Sequence, residues 1–322
     1  MPFKVLLSSA LGLLVRALGG RRGWTNSHCS SLSSPSPQPP YDSSSSTSLP
    51  CREFRDEFIA KVARVVGVAR IEAKPQPGNA IARTIMTPPG PVIQYDPAQP
   101  LTRRRFSIAH EIAHILLSVE GKIARPSWKT VDASLEGKCH QIARELLMPR
   151  DMFVQHVRTF RTPGLSAFLA LASTFQVSCE ALAYRLADFR LWPTIILFVQ
   201  KSENVASYLA EPVRFIGSEQ GPVLRVVRTF KPGRHSRRSV PPGTLVPFGS
   251  GCHVSFVCGV DTAGYETFAL KTLRGTFFVE SSKLVKPERV LSLIHLVPPA
   301  TMNPTWATSR TLFEPARHVC WR

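Results

Sequence analysis

Acidic residues are scarce in this chain. Its 322 residues carry 22 Asp and Glu against 40 Lys and Arg, a formal net charge of +18. The excess is spread, with four basic residues against one acidic in 1–50, 20 against 13 in 51–200 and 16 against eight in 201–322. No single tail therefore carries the charge, and a basic body points to a polyanion or an acidic protein surface as partner. A merely solvated basic surface is the plainer alternative. Paired cysteines are lacking too. The seven, at 29, 51, 139, 179, 252, 258 and 320, are odd in number and contain no C-x-x-C, and Cys252 and Cys258 are poorly spaced for a metal. Cys139 and Cys179 fall on apolar helix faces and read as small core residues. This is the usage of a reduced, cytoplasmic chain and excludes a disulfide framework. After the N-terminus no stretch approaches the roughly 18 apolar residues of a membrane span.

The first fifty residues lack the makings of a fold. Lys4 and the apolar run 5–15 resemble the start of a signal peptide, but Arg16, Arg21 and Arg22 follow without a small-x-small cleavage site. Ser and Pro then dominate to Pro50, a composition that buries too little surface to order itself. Residues 1–50 are expected to be disordered, or an extension upstream of the true start.

What is present is an ordinary apolar fraction of 43% and enough length for two or three domains. Phe54, Phe58, Ile59, Val62, Val65 and Val66 fit an amphipathic helix ending at Gly67. Ile81 to Met86 and Val92 to Tyr95 read as strands joined by a Pro88-Pro89-Gly90 turn. Then comes Arg105-Phe106-Ser107-Ile108-Ala109-His110-Glu111-Ile112-Ala113-His114-Ile115-Leu116-Leu117, which contains H-E-x-x-H. Residues four apart share a helix face, so the imidazoles of His110 and His114 can reach one ion. Glu111 can stand beside that ion and accept a proton from water. The plain alternative is a core helix with two hydrogen-bonded histidines and a solvated glutamate.

A catalytic zinc wants three protein ligands and an open position. No further histidine follows His114 in the H-x-x-G-x-x-H manner, so the third donor should come from the next helix, about Asp132 to Met148, with Asp132 or Ser134 as N-cap and Pro149 as stop. Spacing slightly favours Glu136, which precedes a small-residue stretch able to approach another helix closely. It leaves Glu145 and His140 open.

These two segments resemble the signature of the ImmA/IrrE family of metallo-endopeptidases, R-F-x-x-A-H-E-x-x-H-x-L-L followed by E-x-x-[AC]-N-x-x-A-x-x-L-L-M-P. The second is matched by Glu136-Gly137-Lys138-Cys139-His140-Gln141-Ile142-Ala143-Arg144-Glu145-Leu146-Leu147-Met148-Pro149. The resemblance implies one Zn²⁺ per chain held by His110, His114 and Glu136, with Glu111 as general base. It also implies a protein substrate, a helix-turn-helix repressor of a phage, mobile element or stress regulon. His140 stands where the family usually has Asn. One turn from Glu136, it can orient that carboxylate, as Glu145 could from farther along the helix, or compete as a ligand. His156 and Tyr184 are candidates for oxyanion stabilisation.

Three more helices are expected, at Asp151–Phe160, Leu165–Phe175 and Cys179–Phe189, with Ser178 capping the last. The final two have helix-turn-helix patterning, and the second would present Glu180, Tyr184 and Arg185, a poor set for reading bases. Nucleic acid is therefore a secondary candidate partner. A DNA-associated regulator with a structural zinc is the competing functional reading. From Trp192 the signal is β, with strands at Thr194–Gln200, Val223–Phe230, Cys252–Gly259, Tyr265–Leu270 and Gly275–Glu280. A basic loop runs from Lys231 to Arg238, and the tail from Ala300 has no clear pattern.

The fold class read from all this is α+β. A mainly helical, zincin-like peptidase domain with a small β-hairpin or sheet spans 51–160. A helix-turn-helix-like unit occupies 161–191, a β-rich module 192–298, GAF-like by position in the family's radiation-response branch, and a tail 299–322.

Overall fold

The computed structural model describes residues 51–76, 81–119, 133–160, 162–202, 222–233, 236–285, 288–297, 311–312 and 320–321. The expectations for residues 1–50, for Asp132 as a cap, for positions 234–235 of the basic loop and for most of the tail lie outside them. The chain is α+β and divides into two units, one ending at Arg150 and the other beginning at Asp151.

In the first unit, helix α1 (Cys51–Val65) precedes strands β1 (Arg70–Ala73), β2 (Ala82–Thr87) and β3 (Gly90–Tyr95), followed by helices α2 (Leu101–Val119) and α3 (Ala133–Leu147). The sheet order is β1-β3-β2, with β1 parallel and β2 antiparallel to the central β3. Its register is fixed by a polar row on one face. Arg83 donates from Nε and Nη2 to Gln94 Oε1 at 3.1 and 3.0 Å, and Gln94 Nε2 donates to Glu72 Oε1 at 2.6 Å. Side chains alternate along a strand, so the neighbouring row, Thr84 opposite Ile93, faces the other way. Ile93 is fully buried there. A one-residue slip would exchange the two rows. α3 starts at Ala133, so Ser134 lies inside its first turn rather than capping it, and Pro149 follows its end as expected.

The second unit contains α4 (Arg150–Thr159), of which Arg150 is the last residue of the first unit, then α5 (Leu165–Phe175), α6 (Cys179–Phe189), β4 (Thr194–Lys201) and β5 (Leu224–Phe230). Next come α7 (Gly251–Cys258), β6 (Thr262–Leu270), β7 (Leu273–Leu284), β8 (Arg289–His295), β9 (Thr311–Leu312) and β10 (Cys320–Trp321). The strands form one sheet in the order β10-β6-β7-β8-β4-β5, with β9 also on β6. β4 is buried on both faces. Its Ile195, Leu197 and Val199 join a core with Cys252, Phe268 and Trp321, while Phe198 on the opposite face meets Phe230.

The segment 252–259 is not the expected strand. It is helix α7, capped by Ser250 Oγ accepting from His253 N and closed by Gly259 in the left-handed region at φ 69°. Burial of Cys252, Ser255 and Phe256 follows helical, not alternating, spacing. Ser178 caps α6 as expected, accepting from Ala181 N. α5 and α6 meet at 107°, within the range of helix-turn-helix pairs. The outer face of α6 is nevertheless engaged. Arg185 is buried with its guanidinium 4.3 Å from the Phe189 ring centroid, so it is not presented as expected. Glu180 pairs with Arg228 at 2.8 Å, and Tyr184 Oη accepts from Arg228 at 3.0 Å. Among the described residues no single helix is long and apolar enough to cross a membrane.

Candidate metal centre

The centre is built where α2 and α3 pack. One face of α2 buries Ala109, Ile112, Ala113 and Leu117, and one face of α3 buries Cys139, Ile142, Ala143 and Leu146. Each fully buried large side chain contributes about 1.5–3 kcal/mol. The small residues Ala109, Ala113, Cys139 and Ala143 suit close approach of the two backbones. The same helical phase leaves His110, Glu111, His114 and Glu136 half-buried rather than sealed in the core.

Three side chains converge there in a triangle, Glu136 meeting each imidazole through a different carboxylate oxygen. His110 Nε2 lies 3.0 Å from His114 Nε2 and 3.2 Å from Glu136 Oε2, and His114 Nε2 lies 3.4 Å from Glu136 Oε1. A tetrahedral ion with bonds near 2.0–2.2 Å sets its ligands about 3.3–3.6 Å apart, so the three contacts come close to the ligand spacing of such a site. Two imidazole nitrogens and a carboxylate are also the donor set zinc takes. Among the described residues His110 Nδ1 is buried without a hydrogen-bond partner, a feature of the kind found at functional sites. Burial pushes the His110 pKa from 6.5 down to about 4, assisted by the nearby His114 and His140, against the pull of Glu136. His110 thus keeps a lone pair available at neutral pH. The residues fit the metal.

Around this triangle, Thr84 Oγ1 donates to Glu111 Oε2 at 2.6 Å, fixing the carboxylate next to His110 in sequence. Cys139 Sγ lies 3.5 Å from His114 Nδ1. Burial first, then the Glu136 and Glu111 carboxylates, push this thiol up to about 12, so it is protonated at neutral pH. If His114 Nε2 gives its lone pair to a metal, Nδ1 carries the ring proton and points it at that sulfur. The His140 ring sits 4.8 Å from that of His110 and 5.6 Å from Phe106, and burial holds its pKa below the ordinary value. Glu145 turns away, accepting from Arg150 N at 2.9 Å. His156 and Tyr184 belong to the second unit, where His156 Nδ1 bonds to Met152 O at 2.8 Å.

Sequence reasoning missed Thr84 and the contact of Cys139 with His114. Cys139 had a usable signal, since it stands three residues after Glu136 on the same helix side.

Residues 66–187 match the model of the IrrE N-terminal-like domain. Over this span the chain is similar to an ImmA/IrrE-family domain. The ImmA/IrrE family is one of zinc metallopeptidases, and its matched span includes every residue of the triangle together with Glu111 and Thr84. No curated protein matches the chain. Among solved structures, a Mycobacterium tuberculosis transcriptional regulator aligns at 14% identity over 82% of this chain and 77% of that one, with a TM-score of 0.49.

Proposed function

We propose that the chain is a zinc-dependent endopeptidase with His110, His114 and Glu136 as metal ligands and Glu111 as general base. The observation that carries this is the convergence of three side chains through contacts of 3.0–3.4 Å, with a glutamate adjoining them in sequence and anchored at one oxygen. Zinc bound there supplies a Lewis acid for a peptide carbonyl and makes water acidic near neutral pH. Thr84 holds Glu111 Oε2, which leaves Oε1 to take a proton from the attacking water and return it to the leaving amine. Cys139 and the packing of Phe106 against His110 hold the imidazoles in place. β2 is an edge strand among the described strands and shares its row with Thr84, so an extended substrate can pair with its backbone beside Glu111.

The substrate in this reading is a protein, a helix-turn-helix repressor of a phage, mobile element or stress regulon, cut at a specific bond. The likeness of residues 66–187 to the IrrE N-terminal-like domain and the net charge of +18, which suits an acidic cleavage segment, support it. The described cysteines, Cys139, Cys179, Cys252, Cys258 and Cys320, are all free thiols, which suits the reducing cytoplasm where such repressors act. The competing reading, a DNA-bound regulator with structural zinc, has no use for Glu111 and needs an α6 face that Arg228 and Phe230 already engage.

The test is incubation with Zn²⁺ and candidate repressors beside a Glu111→Gln variant, with casein as a non-specific control. Cleavage by the parent alone is expected. Equal loss of repressor in both samples removes the catalytic assignment.

A further inference from the structure

His110 and Glu136 take part in two overlapping donor sets. The first adds His114. The second adds His140, whose ring nitrogen lies with donor atoms of His110 and Glu136 inside a group spanning at most 4.8 Å. The first set is the tighter, and its edges match a metal's coordination sphere. The second is bounded only at 4.8 Å, so its histidine stands beside that sphere. His140 reaches it because it follows Glu136 by four residues and therefore shares its face of α3. Its side chain is exposed, leaning on Phe106 and His110 at the rim. An exposed imidazole on a helix has rotamers to spare, and a small side-chain rotation covers the remaining distance. An Asn at this position, which the family pattern usually has, has a shorter side chain and an amide, a poor donor to zinc.

We propose that His140 is a fourth, displaceable donor, which closes the open coordination position until a substrate carbonyl takes its place. The site then rests as three histidines and a glutamate and works as two histidines and a glutamate. This rests on the metallopeptidase reading and adds a built-in latch to it. One consequence is quantitative. If His140 occupies the fourth position with an equilibrium constant K, it strengthens zinc binding by the factor 1 + K. It weakens any ligand that must displace it by the same factor.

The experiment compares the full-length chain with His140→Asn and His140→Ala. Zinc affinity is measured by chelator competition, and acetohydroxamate binding by the visible spectrum of the cobalt-loaded protein. Both variants should bind zinc about 10–100-fold more weakly and acetohydroxamate more tightly by a matching factor. Their cobalt spectra without hydroxamate should differ from that of the parent. Unchanged affinities, or losses in both, overturn the proposal, since a merely structural histidine would weaken both together. Failure of the parent itself to bind one zinc per chain removes the metallopeptidase reading instead. Circular dichroism confirms that the substitutions, made at an exposed position, leave the fold intact.

Discussion

Glu136 in the first unit and Glu266 and Glu280 in the second are all carboxylates beside helices, yet their surroundings differ. Glu136 faces two imidazole nitrogens that also crowd each other at 3.0 Å, so groups able to accept converge on one point. Glu266 and Glu280 face N–H groups. Glu280 Oε2 accepts from Leu165 N at 2.9 Å and bonds to His295 Nε2 at 3.0 Å, and Glu266 accepts from Gly251 N at 2.8 Å and Trp321 Nε1 at 2.6 Å. Each reaches the first turn of a helix, α5 or α7, where unpaired N–H groups and the helix dipole favour a negative charge. The N-cap of α5 is Gly164, which offers no side chain, so a carboxylate from β7 does the capping. A Cβ on Gly164 would come within 3.0 Å of Glu280, and one on Gly251 within 2.8 Å of Thr262. A buried carboxyl with matched donors is scaffolding, whereas converging acceptors without them mark a place for a cation.

If that distinction holds, the largest effect is on catalysis. Glu111→Gln should lower peptidase activity about 10²–10⁴-fold while one zinc per chain remains bound. Loss of zinc along with activity would make Glu111 part of the cage and blur the contrast. Next in size is the scaffold. Glu280→Ala removes the acceptor shared by Leu165 N and His295, and should destabilise the second unit by about 3–5 kcal/mol, read as a lower urea midpoint. His114→Ala should do the reverse kind of harm. Without metal its stability should stay within about 1 kcal/mol of the parent. The gain of about 2.7 kcal/mol that zinc gives the parent at a hundredfold excess over Kd should vanish.

How much of this was legible beforehand depends on the range of each interaction. His110, Glu111 and His114 lie within one helical turn, so periodicity alone grouped them. The choice of Glu136 over Glu145 needed the family pattern. The two lie nine residues apart, about half a turn around the helix, and only packing decides which side meets α2. Thr84 was invisible because its partner is 27 residues away and its strand has no clean apolar face, with Met86 exposed and Ile93 supplying the buried position from β3. α7 was misread because an eight-residue apolar run fits a strand or a helix equally. Ser250 and Gly259 bracket it, and that pair of caps was the available signal. Trp321 lies in a two-residue strand too short for any period, yet it is fully buried and stacks on Phe268 at 5.2 Å.

A smaller effect tests the anchoring of the base. Thr84→Val keeps the shape of β2 and removes the 2.6 Å bond to Glu111. A hydrogen bond to a charged group is worth about 1.5–3 kcal/mol, so kcat should fall about tenfold or more with zinc content and melting temperature unchanged. An unchanged kcat would mean that Glu111 is oriented by other means.

The mildest test uses pH and should separate the two regions by sign. Burial holds His110 at about 4 in the folded, metal-free protein, below its ordinary 6.5. Between those values the unfolded chain takes up a proton that the folded one refuses, so the first unit loses stability as pH falls from 6.5 toward 4. Glu266 goes the other way. Burial raises its pKa above 4.5, opposed by the bonds from Trp321 and Gly251, so the folded state keeps a proton that the unfolded chain gives up. That contribution is full below 4.5 and is lost as pH rises through the folded value. Melting curves across pH should therefore show His110→Asn flattening the acid-side decline and Glu266→Gln flattening the decline above 4.5. Slopes that respond to both substitutions alike would mean that the two sites do not treat charge differently after all.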